Sequence, residues 1–100
     1  MPHFIYLARC ADDSLYAGTC IDLAEREKKH NAGTGAKYTR SRLPLHFVYH
    51  ETFRTLGKAR SREAAIKKLT KEQKESLILL QKKRQPRTVA RKQPKQQRAR

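Results

Sequence analysis

Tryptophan is absent from this chain of 100 residues, acidic residues number only 9, and no run of apolar residues is long enough to cross a bilayer. Each absence excludes something. A membrane-spanning helix needs about 20 consecutive apolar residues, and Met1–Cys10 lacks the basic start and small-residue cleavage site of an export signal. No membrane association is expected, and the protein is expected to be cytoplasmic. Cys10 and Cys20 are too few and too far apart for a Cys-x-x-Cys metal or redox motif. In the cytoplasm they remain thiols, and the plainest role for both is as small buried strand residues. His46 and His50 fall in a stretch that reads as strand, with no cysteine pair beside them, so zinc is not expected there.

What is present is positive charge: 24 Lys and Arg give a formal net charge of +15, against 37% apolar residues. A chain of this length supports one domain and buries only about 60% of the surface its unfolded state exposes. Its core is therefore thin, and a charged residue at an inward-facing position stands out. The charge favours an anionic polymer over an anionic membrane as partner.

Lys82 to Arg100 carries two prolines, several glutamines, nine basic residues and no acidic one, with Val89 as its only large aliphatic side chain. Such a composition predicts a disordered basic tail following a folded domain of residues 1–81. Nine of the fifteen net charges lie in that tail, which leaves the folded body itself basic at +6. The tail either adds salt-sensitive affinity for phosphates through counterion release or serves as a solubilising extension.

Within the body, Phe4–Cys10 and Ser14–Cys20 are β-prone runs on either side of Asp12-Asp13, which predicts an antiparallel hairpin. Asp22 suits a helix N-cap with Glu25 three residues on, Lys28, Lys29 and His30 suit the helix C-terminus, and Asn31-Ala32-Gly33 ends it. Gly33–Arg42 reads as a polar loop and Leu45–His50 as a third strand. Helices are expected from about Leu56 to Leu69 and from Thr70 to about Gln81. The order β-β-α-β-α-α is that of an α+β domain, a small mixed sheet with helices packed on it.

Local rules break in three places. On the first helix, the side that begins with apolar Leu23 continues with Arg26, Glu27 and His30, so either that charged side faces the sheet or a narrow stripe of Leu23 and Ala24 does. On the next helix, the stripe Leu56, Ala59, Ala65 or Ile66, and Leu69 places Glu63 where burial is expected. A carboxylate there needs either a salt bridge, for which Arg26 is a candidate, or a metal ion. In the hairpin, a three-residue loop would pair Tyr6 with Gly18 and Tyr16 with Ala8, setting both phenols on one face. Taken singly, each tyrosine also fits an ordinary core position with its polar tip at the edge. Gly18 signals a bulge or a close approach by another backbone or a ligand.

Ile5-Tyr6, Tyr16-Ala17-Gly18, Arg26, His30-Asn31, Lys37-Tyr38-Thr39-Arg40 and Glu63 together resemble the GIY-YIG nuclease family, specifically its small stand-alone bacterial members, over roughly residues 3–80. The sequence departs from the family pattern in three places. Phe4 stands at or near the first motif's glycine, and the second motif reads Tyr-Ala-Gly, so both tyrosines and the second glycine are kept. Asp13 also takes a turn position where relatives often have glycine.

The resemblance implies a three-stranded antiparallel sheet flanked by helices and hydrolysis of a DNA phosphodiester with one divalent ion, Mg²⁺ or Mn²⁺. It implies catalytic roles for Tyr6, Tyr16, Arg26, His30 and Glu63, with Glu63 as the metal ligand. Arg26, always charged, suits the scissile phosphate, and a lone Glu63 suits Mg²⁺, which keeps several waters. Tyr6 is favoured as base and Tyr16 as a phosphate or water ligand, although residue types alone do not separate them. His30 either contacts phosphate or steadies the nucleophile. Lys37, Tyr38 and Arg40, with Gly18, are the expected nucleic-acid contacts, ordinary surface exposure being the alternative for the loop residues. The expected partner is DNA, with RNA in second place, in DNA repair, recombination or turnover, and a monomer is favoured. The rival reading keeps the fold as a basic binding module for DNA, RNA or the ribosome surface, without catalysis.

Overall fold

Two short β-prone runs, buried on both faces and joined by a tight turn, make the first hairpin. The computed structural model describes residues 2–84. In it β1 (His3–Arg9) and β2 (Leu15–Cys20) pair antiparallel, Tyr6 opposite Gly18 and Tyr16 opposite Ala8, the register that a three-residue loop predicts. The Cys10 and Asp13 amides close the turn on the Ser14 and Cys10 carbonyls, both at 2.9 Å. Asp13 takes a left-handed φ of 70°, a conformation that Asp and Asn adopt more readily than other side chains. The Asp12 carboxylate steadies the turn by accepting from the Ser14 amide at 3.0 Å and its hydroxyl at 2.6 Å.

β3 (His46–Phe53) pairs antiparallel along the other edge of β1, giving the order β2-β1-β3 with β1 central. It runs three residues beyond the expected strand. Leu7 faces Tyr49 and Ala8 faces Phe47, so Val48 is an extra residue in β3. Such a bulge re-aims side chains. Here Tyr49 and Val48 pack with Ile5 and Leu7, while Phe47 packs with Tyr6 on the opposite face.

Helices close both faces. α3 (Leu56–Lys67) and α4 (Lys71–Arg84) bring Ile66 and Ile78 to Ile5, Leu7, Ala17 and Tyr49, and full burial of a side chain such as Ile66 contributes roughly 1.5–3 kcal/mol. α1 (Leu23–Asn31) packs Leu23 against the other cluster, built on Tyr6, Ala8, Cys10, Cys20 and Leu45. Both cysteines are buried free thiols. Burial pushes both thiols above their ordinary pKa.

The helix ends follow the local chemistry. Asp22 caps α1 by accepting from the Glu25 amide at 3.0 Å. At its other end the Gly33 and Thr34 amides return to the His30 and Lys29 carbonyls, with Gly33 at a φ of +84°. Thr70 and Gln73 cap α4 reciprocally, each side chain accepting from the other's amide at 3.1 and 2.9 Å. Arg9 then grips Glu75 through two bonds of 2.7 and 2.6 Å, fastening α4 to the end of β1.

Two expectations need correction. The polar loop contains a one-turn helix, α2 (Lys37–Arg40), so the order is β-β-α-α-β-α-α. Four residues are too few to leave a periodic pattern in sequence. The basic tail was expected to begin at Lys82, yet α4 continues through Arg84; the rest of that tail lies outside the described residues.

Candidate active site

The site is assembled around Tyr6. On the central strand it is 1% exposed, with its ring stacked on Phe47 at 4.1 Å and 12°. Its phenol lies over the bare Cα of Gly18, where a Cβ would fall 2.5 Å from Oη and 2.7 Å from Cζ. Gly18, expected as a nucleic-acid contact, is buried and makes room for Tyr6. The close approach that its presence in a strand signalled comes from a side chain of the same sheet.

Tyr6 Oη is hydrogen-bonded to His30 Nε2 at 3.0 Å. His30, near the end of α1, is 1% exposed, and its Nδ1 lies 3.0 Å from Thr39 Oγ1 on α2. Thr39 is fully buried and its hydroxyl donates to the Ala36 carbonyl at 2.8 Å. Gly35 passes so close to the imidazole that a Cβ there would collide with Nδ1 and lie 2.8 and 2.9 Å from Cγ and Cε1.

Tyr16 is half-buried beside this pair, its ring centroid 6.4 Å from Tyr6 and 5.7 Å from His30. Exposed Tyr38 stacks on it at 5.9 Å and 18°. Arg42 lies 3.9 Å over the Tyr38 ring and donates to the Tyr38 carbonyl at 2.7 Å and to Asp12 at 3.1 Å. Its own carbonyl receives the Ala11 amide at 2.8 Å. Arg42 therefore clips α2 to the hairpin turn and holds Tyr38 against Tyr16.

The charged side of α1 does face inward: Arg26 and Glu27 are half-buried and His30 buried, whereas Ala24 is exposed. Glu27 is satisfied by the Phe47 amide at 2.8 Å. Arg26 has no carboxylate partner among the described residues. Glu63 is 20% exposed in its side chain and pairs with Lys67, one turn on, at 3.1 Å; the salt bridge to Arg26 is not formed.

Arg26 and Glu63 nevertheless both act on Tyr6. Burial drives the Tyr6 phenol well above its ordinary pKa, Tyr16, Cys20 and Glu63 push it the same way, and Arg26 opposes them. Burial, then the Arg26 charge, lowers the pKa of His30. A protonated phenol thus faces a neutral imidazole at neutral pH.

Next to Glu63, Arg62 forks onto Glu51 with bonds of 3.0 Å from Nε and from a terminal nitrogen, anchoring α3 to β3. The Tyr49 hydroxyl donates to the same carboxylate. With Leu77, Leu80 and Gln81 these three line a cavity of about 340 Å³, and Tyr49 belongs to the core cluster on the face opposite Tyr6.

Lys37, Tyr38 and Arg40 are all exposed on α2. Among the described residues no three His, Cys, Asp or Glu side chains cluster as a metal cage. The donor chemistry at the site is one partly accessible carboxylate, Glu63, which fits a hard cation that retains most of its waters. The sequence reading missed Gly35, Phe47 and Arg42 and assigned no role to Thr39. A second glycine so soon after the helix-ending Gly33 was a signal for Gly35, while the other three roles depend on contacts between elements.

The GIY-YIG catalytic domain family model matches residues 2–76. A UPF0213 protein of Haloquadratum walsbyi is 48% identical over 75 residues, covering 75% of this chain and 84% of that protein. A UPF0213 protein of Staphylococcus aureus is 47% identical over 76 residues, covering 76% and 93%. Among solved structures, the solution structure of a UPF0213 protein from Bacillus halodurans is similar at 40% identity and a TM-score of 0.52, covering 80% of this chain and 85% of that one. A second solution structure, of a protein from E. faecalis, is similar at 36% identity and a TM-score of 0.56, covering 92% and 96%.

Proposed function

Because the chain belongs to the GIY-YIG catalytic domain family, a family of nucleases, we propose that it hydrolyses DNA phosphodiester bonds with the help of one divalent ion, Mg²⁺ or Mn²⁺. The observation that carries this reading is the 3.0 Å hydrogen bond between Tyr6 and His30, with the charges of Arg26 and Glu63 both acting on that phenol.

Each side chain has a task in such a reaction. Arg26, with no carboxylate partner among the described residues, is free to present its fork to the oxygens of the scissile phosphate. Tyr6 is the group beside the attacking water, its own hydroxyl already hydrogen-bonded to His30. Tyr16, half-buried beside it, orients phosphate or water. Glu63 would hold the divalent ion, exchanging Lys67 for it. When bound, that ion supplies charge stabilisation at the phosphoryl oxygens and helps the departing oxygen. Lys37, Tyr38 and Arg40 offer backbone contacts on the exposed face of α2, and the basic chain adds salt-sensitive affinity. Repair, recombination or turnover of DNA would each employ such a cut.

A binding-only module is the competing reading, and the 1% exposure of Tyr6 and the Glu63–Lys67 pair favour it. Labelled linear, branched and single-stranded DNAs, with RNA alongside, separate the two when incubated with Mg²⁺, Mn²⁺ or EDTA. The nuclease reading expects cutting that needs the ion and is lost in Glu63→Ala and Arg26→Ala while binding is largely kept. Salt-sensitive binding without any cutting would establish the module instead.

A further inference from the structure

We propose that Thr39 is a positioning residue that fixes the tautomer of His30, keeping the imidazole proton on Nδ1 so that bare Nε2 receives the phenolic proton of Tyr6. The role in the reaction rests on the nuclease reading above; the tautomer does not.

The assignment follows from counting protons. The Thr39 hydroxyl has one proton, and its oxygen is 2.8 Å from the Ala36 carbonyl, which only accepts. That proton is therefore committed to Ala36, and Thr39 Oγ1 can meet His30 Nδ1, 3.0 Å away, only as an acceptor. Nδ1 must carry the hydrogen. Neutral imidazole has one, so Nε2 presents a lone pair to Tyr6 Oη at 3.0 Å, and the phenol is the donor. His30 and Thr39 are 1% and 0% exposed, so water does not compete for these bonds. The bare Cα of Gly35 against the ring is what lets α2 approach closely enough for Thr39 to reach it.

A one-way chain results, from Tyr6 to His30 to Thr39 to the Ala36 carbonyl. When water attacks the phosphate, its proton passes to Tyr6 Oη as the phenolic proton passes to His30 Nε2, leaving a neutral tyrosine and an imidazolium; the new P–O bond replaces the one to the departing oxygen, which leaves with the bonding pair and takes a proton from solvent. The imidazolium then donates from both nitrogens, to Tyr6 and to Thr39, so the same oxygen that set the tautomer also supports the cation. Thr39 touches no reacting atom and acts through His30.

The test is long-range ¹H–¹⁵N NMR of the histidine-labelled full chain, run with DNA cleavage kinetics on the parent, Thr39→Ser and Thr39→Val. The parent and Thr39→Ser are expected to show His30 protonated on Nδ1 and to cut alike. In Thr39→Val the proton is expected to redistribute to Nε2, and kcat to fall on the order of 10²-fold with KM for DNA little changed. A parent protonated on Nε2, or a Thr39→Val protein that keeps the Nδ1 proton, overturns the proposal. The parent spectrum alone decides if Thr39→Val fails to fold. The expected tautomers with no cutting of any DNA would sink the nuclease reading and leave the tautomer assignment standing.

Discussion

Gly18→Ala is the substitution whose outcome the geometry fixes most closely. The added Cβ would lie 2.5 Å from Tyr6 Oη and 2.7 Å from Cζ, where ordinary contact begins at 3.4 Å, so the phenol must retreat by about 0.9 Å. Phe47, stacked on the ring at 4.1 Å, and buried His30 leave little room for that. Overpacking of this kind costs about 1–3 kcal/mol, against about 0.5–1 kcal/mol gained by replacing glycine in a strand. A net loss of up to about 2.5 kcal/mol is expected, which lowers Tm by up to about 20 °C for a domain of this size. Displacing the phenol stretches its bond to His30, and a misplacement near 1 Å costs activity on the order of 10²-fold. Urea unfolding followed by circular dichroism, with a plasmid-nicking assay, reads both effects. Adding Tyr6→Phe removes the Oη contact but leaves the one at Cζ, so the double variant should recover part of the lost stability and none of the activity. A Gly18→Ala protein as stable and active as the parent would refute the claim that this glycine exists to admit Tyr6.

Three further outcomes are expected. His30 titrates below its unfolded value of 6.5, chiefly through burial, so its contribution to stability is complete above that pH and lost as pH falls through the folded value. Urea midpoints at about pH 7.5 and about pH 5 should therefore differ more in the parent than in His30→Asn. Arg9 and Lys71 hold Glu75 down to about 2 from 4.5, so this group's stabilisation is present above pH 4.5 and disappears on acidification through about 2. Arg9→Ala should cost about 1 kcal/mol at neutral pH and flatten the acid limb of the profile. Residues 85–100 carry six basic side chains; deleting them should weaken DNA binding at moderate salt, reduce the log–log salt slope by up to about 5, and spare cleavage.

Features that depend on neighbours in sequence were legible there. The hairpin register followed from a three-residue loop, the α1 cap from Asp22 and Glu25, and the start of α4 from Thr70. The inward-facing charge on α1 was visible as Arg26, Glu27 and His30 on the side of Leu23. What escaped depends on contacts across the fold. Nothing local marks Lys37–Arg40 as a helix, because Thr39 earns its place by meeting His30. β3 continues through Glu51 because Arg62, from a distant helix, neutralises that carboxylate. Residues 82–84 read as tail because composition alone does not show that α4, held at Glu75 by Arg9, continues past Gln81.

The extra residue in β3 makes the length of that strand as consequential as its composition. Deleting Val48 would leave Phe47 opposite Ala8 and Tyr49 opposite Leu7 in regular pairing, so both would keep their faces of the sheet and only the local bend and twist of the bulge would be lost. A chain shortened there should keep its register, while the angles at which Phe47 meets the Tyr6 ring and Glu51 meets Arg62 should change.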